Sequence, residues 1–317
     1  MKFRKERIKI TAVSYLKQLN LNGINQKVLI EGKSSYNPVL ICLHGLGTSL
    51  PFSCGSRGLY PDFIKNYTMV YWDQLGCGIN NQVLEDVSVD DYVNMTFDLI
   101  NEIRALFPNN KIYLFGMSWG SLLALKVMAQ DNPIDGAICY GQLSKDMYFS
   151  EDTFEELTDY CHRVKALARI EEIHQEPSHC YQNVVEISKY IKKYSNGYIH
   201  KKTTATNFLP IMLGNFLSQD YKTKDFLALF KNGFTKNESL INEIIGLDVS
   251  EDFKKISKPY YIIQGANDII TPTSSLVKVI GDVNNSNIRL NIMEEASHIP
   301  SSQAMDLLFG QLEECFK

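Results

Sequence analysis

Three side chains in this sequence have the types and the order needed for nucleophilic catalysis: Ser118, Asp268 and His298. The serine lies in Gly116-Met117-Ser118-Trp119-Gly120, a G-x-S-x-G pattern. It follows the apolar, β-rich run Lys111-Ile112-Tyr113-Leu114-Phe115 and precedes the helix former Ser121-Leu122-Leu123-Ala124-Leu125. A strand before and a helix after make this a nucleophile elbow, a strained turn that pushes the serine hydroxyl clear of the backbone. Glycine is expected at 116 and 120 because a side chain at either would collide with neighbouring backbone. A serine hydroxyl is a weak nucleophile near neutral pH, so it needs a base, and the base needs an orienting group.

In elbow architecture the partners follow in the chain order Ser, then Asp or Glu, then His. Gln264-Gly265-Ala266-Asn267-Asp268 puts Asp268 just past the C-terminal end of a strand, where catalytic groups of open α/β sheets gather. Ala296-Ser297-His298 puts His298 in the loop after the last strand, before the C-terminal helix. Asp146, after the preceding strand, is a rival acid. Asp268 is favoured because its strand-Gly-x-x-Asp setting closes the Ser, Asp, His order. The chemistry is acyl transfer to water: His298 accepts the Ser118 proton, and Asp268 holds the imidazole tautomer and stabilises the imidazolium. Two backbone N–H groups are expected to bind the oxyanion, those of Trp119 and of Leu46 in the turn His44-Gly45-Leu46-Gly47. His44 is read as a brace for that turn, Met117 as a packing residue, and the Trp119 indole as a candidate wall of an acyl pocket.

Alternating strands and helices must hold these groups. Val39–Leu43 and Thr68–Trp72 are continuous apolar runs, as expected of strands covered on both faces. Ser88 and Asp91 form a capping box for a helix over 92–107, which Pro108 ends. Further strands are predicted at 135–140, 259–265 and Ile288–Met293, with helices at 274–280 and 301–316. Residues 7–13 and 26–31 are predicted as antiparallel edge strands, 48–58 as a loop, and 59–65 as a short helix. The fold class is α/β, with a mostly parallel central sheet and flanking helices. From about 146 to 248 no buried-strand pattern appears; helices are predicted over 153–175, 181–193, 207–217 and 224–230. The organisation expected is a core of 1–145 and 249–317 carrying a helical lid insertion, 146–248. No internal repeat is seen.

Composition restricts the alternatives. With 317 residues, 44% hydrophobic and 21% charged, the chain has the balance of an ordinary globular protein. Its net charge of −4 argues against a general nucleic-acid binder. The basic start Met1-Lys2-Phe3-Arg4-Lys5-Glu6-Arg7 has no apolar stretch after it, unlike a signal peptide. No apolar run approaches the ~18 residues of a spanning helix, so no membrane partner is expected. Seven scattered cysteines do not suggest a disulfide framework. The expected location is cytoplasmic.

Two stretches resemble a known family. Tyr71-Trp72-Asp73-Gln74-Leu75-Gly76-Cys77-Gly78 is similar to the Asp-Gln-x-Gly-x-Gly signature of proline iminopeptidases. Gly116-Met117-Ser118-Trp119-Gly120-Ser121 is similar to their Gly-x-Ser-Trp-Gly-Ser stretch. The chain therefore resembles the proline iminopeptidase branch of α/β-hydrolase-fold serine aminopeptidases, over about 38–142 and 255–317. It departs from that branch at Leu46, Gly47 and Thr48, where His-Gly-Gly-Pro-Gly is usual, and at Leu75, Cys77 and Asn80 after Asp-Gln. The resemblance implies an aminopeptidase acting on short peptides. A carboxylic ester hydrolase is the alternative, and a catalytically silent small-molecule receptor is an alternative of another class.

Such an aminopeptidase needs a carboxylate for the free amine. Glu151, Asp152, Glu155, Glu156 and Asp159, and Glu171, Glu172 and Glu176, are nevertheless read as helix-end and solvated-face charges. Cys161-His162, His174 and His179-Cys180 match no zinc spacing, and no G-x-G-x-x-G opens a helix, so neither metal nor cofactor is expected. The lysines and tyrosines of 190–204 are read as a solvated turn.

Overall fold

A computed structural model describes residues 13–46, 63–82, 86–200, 222, 224–225 and 233–315. The chain divides into two compact units, one of Met1–Ala137 with Asn207–Asn237, the other of Ile138–Thr206 with Glu238–Lys317.

The described residues of the first unit open with a hairpin of β1 (Val13–Leu21) and β2 (Ile24–Gly32), paired antiparallel along their whole length. The strand expected at 7–13 shares only Val13 with β1, and 7–12 lie outside the described residues. The turn is Asn22-Gly23 with φ of 48° and 78°, the positive pair that matches the right-handed twist of a hairpin. Asn-Gly is the local signal for it. The turn is tied to a later helix: Asn22 donates to Asp98 (2.7 Å) and to Asp91 (3.0 Å).

β3 (Val39–Leu43), β4 (Thr68–Trp72) and β5 (Ile112–Met117) follow, and the strands of this unit lie in the order β1-β2-β4-β3-β5. β3 is parallel to both neighbours, with Leu43 opposite Trp72 on one side and Gly116 on the other. The segments that leave these strands therefore start side by side. β3 and β4 are buried throughout, as their unbroken apolar runs require. α1 (Phe63–Asn66) is the described part of the helix expected at 59–65; the loop expected at 48–58 lies outside the described residues. α2 (Val89–Leu106) opens with the capping box: the Asp91 N–H donates to Ser88 Oγ (3.2 Å) and the Ser88 N–H to Asp91 Oδ2 (2.9 Å). α3 (Trp119–Met128) is apolar around nearly its whole circumference and is buried accordingly.

The second unit contains most of β6 (Gly136–Tyr140), then β7 (Tyr260–Gly265) and β8 (Ile288–Met293), in the order β6-β7-β8. β7 and β8 are parallel and end in register, Gly265 opposite Met293. Between β6 and β7 the described residues contain helices and no strand: α4 (Glu151–Tyr160), α5 (Val164–His174), α6 (Tyr181–Tyr194), α7 (Glu238–Ile245) and α8 (Ser250–Lys254). The single helix expected over 153–175 is two helices. Cys161 is extended (φ −90°, ψ 108°), and so is Arg163 (φ −107°, ψ 110°). In one continuous helix, Leu157 and Ile170 would lie about 140° apart around the axis. The break allows both apolar stripes, Phe154 with Leu157 and Ile170 with Ile173, to be buried. The helices expected at 207–217 and 224–230 fall outside the described residues, except that Lys224 and Asp225 are helical. α9 (Thr273–Val283) and α10 (Ser302–Cys315) complete the unit. No helix among the described residues is long and apolar enough to cross a membrane.

Candidate active site

Ser118 stands between β5 and α3 with φ 52° and ψ −119°, a backbone conformation costly for any residue with a side chain. Its glycine neighbours make the turn possible. A Cβ at Gly116 would lie 2.6 Å from the Gly120 carbonyl oxygen, and one at Gly120 would overlap the Leu43 carbonyl oxygen. The second contact shows how closely the elbow approaches the end of β3, where the oxyanion turn begins. Ser118 is buried, and its carbonyl is held by the Ser121 N–H (2.8 Å) and hydroxyl (2.6 Å).

His44, Gly45 and half-buried Leu46 leave β3 beside the elbow. The Gln74 N–H donates to His44 Nε2 at 2.9 Å, so this ring nitrogen is unprotonated. Nδ1 therefore carries the proton and donates to the Gly45 carbonyl at 2.7 Å. Burial lowers the His44 pKa to about 4, against a smaller opposing effect of the Gly45 bond. The Gln74 side chain donates to the His44 carbonyl (3.0 Å) and accepts from the Trp119 indole N–H (2.6 Å). That indole is fully buried and edge-packed against Tyr92 and Phe234, so it faces the interior of the unit instead of lining an acyl pocket. Sequence reasoning missed this role of Gln74, for which the Asp-Gln pair after β4 is the available signal.

In the second unit Asp268 and His298 come together. Imidazole Nδ1 lies 2.9 Å from Asp268 Oδ2, and both side chains are buried. Asp268 Oδ1 accepts from the backbone N–H groups of Ile270 (2.9 Å) and Thr271 (3.0 Å), a local Asx-type turn. Oδ2 also accepts from the Thr271 hydroxyl (2.8 Å) and the Gln264 amide (3.2 Å). An acid with so many donors is held in one orientation. The rival Asp146 instead accepts from Ser275 (3.0 Å). The His298 loop packs tightly onto the end of β7: a Cβ at Gly265 would lie 2.6 Å from the Ala296 carbonyl carbon. Tyr140 donates to the Ser297 carbonyl (2.7 Å), and the His298 N–H donates to Gly197 (3.1 Å). Gln264 and Thr271 also escape sequence reasoning, since neither type is diagnostic alone.

Two other histidines of the second unit have structural partners. His174 stacks on Phe154 at 4.1 Å and lies 3.2 Å from Glu151, while His179 stacks on Phe149 at 3.9 Å. Glu172, Glu176 and Glu186 surround Arg169. Asp152, Glu155, Glu156 and Asp159, with Tyr160, Asn196 and Asn267, line a cleft of about 240 Å³.

The profile of a family described as alpha/beta hydrolase fold matches residues 38–303. The chain is 23% identical to the probable aminopeptidase YbaC of Bacillus subtilis (strain 168), over 95% of this chain and 96% of that one. Among solved structures, it is similar to a proline iminopeptidase of Mycobacterium smegmatis (TM-score 0.63, 14% identity, 94% of this chain and 98% of that one). It is also similar to a proline iminopeptidase-related protein of Thermus thermophilus (TM-score 0.60, 17% identity, 96% and 98%). At these identities the structural likenesses speak for the fold alone.

Proposed function

The chain belongs to the alpha/beta hydrolase fold family, and on that premise we propose that it is a serine hydrolase working through an acyl-enzyme, with free-amine short peptides as substrates. The observation that carries the reading is the backbone of Ser118, whose strained conformation serves to present a hydroxyl. The Asp268–His298 pair supplies the other half of the chemistry. With Nδ1 engaged by Asp268, Nε2 is the nitrogen left to take a proton.

In the proposed cycle Ser118 Oγ attacks the substrate carbonyl carbon while its proton passes to His298 Nε2. The carbonyl π electrons move onto oxygen, and the backbone N–H groups of Leu46 and Trp119 receive that oxyanion. His298 then protonates the leaving amine as the C–N bond breaks. A water, losing a proton to His298, attacks the acyl-enzyme; the acid departs and Ser118 recovers its proton.

Two observations favour an aminopeptidase over an ester hydrolase. One is the YbaC likeness. The other is the acidic cleft lined by Asn267, the residue before Asp268, whose charge suits a free α-ammonium group. Residues 146–248 are proposed as the lid that would carry this selectivity.

Fluorophosphonate labelling tests the nucleophile: the wild-type chain is expected to label stoichiometrically and Ser118→Ala not at all. A folded wild-type chain that stays unlabelled would sink the enzyme reading. A panel of aminoacyl arylamides, proline first, beside N-blocked peptides and acyl esters tests the substrate class. Turnover confined to free-amine substrates is expected. Turnover of plain esters or N-blocked peptides without them would reject the aminopeptidase, and turnover of plain esters alone would favour the ester hydrolase.

A further inference from the structure

His44, Gln74 and Trp119 form a continuous buried relay: indole N–H to the Gln74 carbonyl oxygen, Gln74 amide and backbone N–H to His44, and His44 Nδ1–H to the Gly45 carbonyl. The amide orientation of Gln74 follows from its partners, because an indole can only donate and a carbonyl can only accept. The relay ends on a peptide bond of particular importance. The Gly45 carbonyl and the Leu46 N–H belong to one planar trans unit and point in opposite directions. Holding the carbonyl toward the imidazole therefore sets the direction of the Leu46 N–H.

We infer that Gln74 is a positioning residue for the oxyanion donor at Leu46, acting through His44 and held in place by the Trp119 indole. The inference rests on the proposed serine mechanism, and it adds residues whose own side chains need not touch the substrate. Both proposed donors would then be set by one device. Trp119 offers its backbone N–H to the oxyanion, while its side chain, through Gln74, orients the other donor. A neutral Nδ1–H tautomer of His44 is essential, because a proton on Nε2 would oppose the Gln74 N–H. Its lowered pKa, a consequence of burial, keeps the ring neutral above about pH 4, and the bonds to Gln74 and Gly45 select the tautomer.

The test follows fluorophosphonate labelling of the full chain as a function of probe concentration, which separates reversible binding (KI) from the chemical step (kinact). Phosphonylation places negative charge on the oxygen that the same donors would hold. Gln74→Met removes the whole side-chain bridge, and Trp119→Phe removes only the indole donor while keeping an aromatic ring. Gln74→Glu retains the acceptor for Trp119 but loses the donor to His44. For Gln74→Met, kinact is expected to fall about ten- to hundredfold with KI within twofold of wild type. A smaller fall is expected for Trp119→Phe, and no rescue by Gln74→Glu.

Wild-type kinact in the folded Gln74→Met and Trp119→Phe variants would overturn the inference while leaving Ser118 as nucleophile. Parallel losses in KI and kinact would also overturn it, as general damage to the site. Should Gln74→Met not fold, Trp119→Phe decides the matter alone. A wild-type chain that never labels would instead defeat the serine mechanism itself.

Discussion

His44 is buried with one ring nitrogen accepting from Gln74 and the other donating to Gly45, so the fold holds it neutral. This couples protonation to stability. In the unfolded chain a histidine titrates near ~6.5, whereas here the pKa falls to about 4. Between those values the unfolded chain binds more protons than the folded one, so stability rises with pH through this window and is lost as pH falls through it. The size of the effect is on the order of 3 kcal/mol. Thermal melts of the wild-type chain from pH 7 to pH 4 are expected to show a declining Tm. His44→Gln should start lower at pH 7 and decline less steeply; equal slopes would refute the linkage.

At the scale of elements, two local devices carry measurable stability. The Ser88 cap engages the first turn of α2, and its N–H bond to the carboxylate holds Asp91 below the ordinary carboxylate range. Ser88→Ala is expected to cost about 1 kcal/mol, seen as a lower denaturant midpoint with an unchanged slope. The share contributed by the depressed Asp91 pKa is present above the unfolded pKa and vanishes as pH falls through the folded one. The Ser88 hydroxyl also donates to that carboxylate (2.8 Å) and adds to the same shift, so the destabilisation by Ser88→Ala should shrink in acid. The Asn22-Gly23 turn is the second device: at φ 78°, Gly23→Ala is expected to lose about 1–2 kcal/mol although nothing stands within 4 Å of the new methyl. A neutral result there would show that the turn relaxes freely.

At the scale of the whole molecule, the segment 233–237 groups with the first compact unit. Gly233 donates to the Gly76 carbonyl (3.0 Å), Asn237 donates to the Val87 carbonyl (3.2 Å), and Phe234 is fully buried against Tyr92 and Trp119. A residue far along the chain thus packs directly on the elbow. Phe234→Ala is expected to destabilise the protein by about 3–5 kcal/mol. It should also slow fluorophosphonate labelling, because the cavity loosens the Trp119 indole. A stable Phe234→Ala chain with normal labelling would show that the elbow does not depend on this contact.

The sequence by itself determined the features whose physics is complete within a few residues. Glycines at 116 and 120, the Ser88–Asp91 cap and the buried runs of β3 and β4 are all demands of local sterics, local hydrogen bonding or two-sided burial. The turn at Asn22-Gly23 is equally local; alternation alone, without that dipeptide, finds β2 after it and misplaces β1 before it. Only the tertiary structure decided which acid meets His298, where the helix over 153–175 breaks, and what Gln74 does. Each of those depends on neighbours brought in by strand register or by the burial of a second apolar stripe. Gln74 meets a histidine 30 residues before it and an indole 45 residues after it. No pattern confined to one segment encodes such a meeting, because the bond exists only once β3, β4 and β5 are aligned side by side.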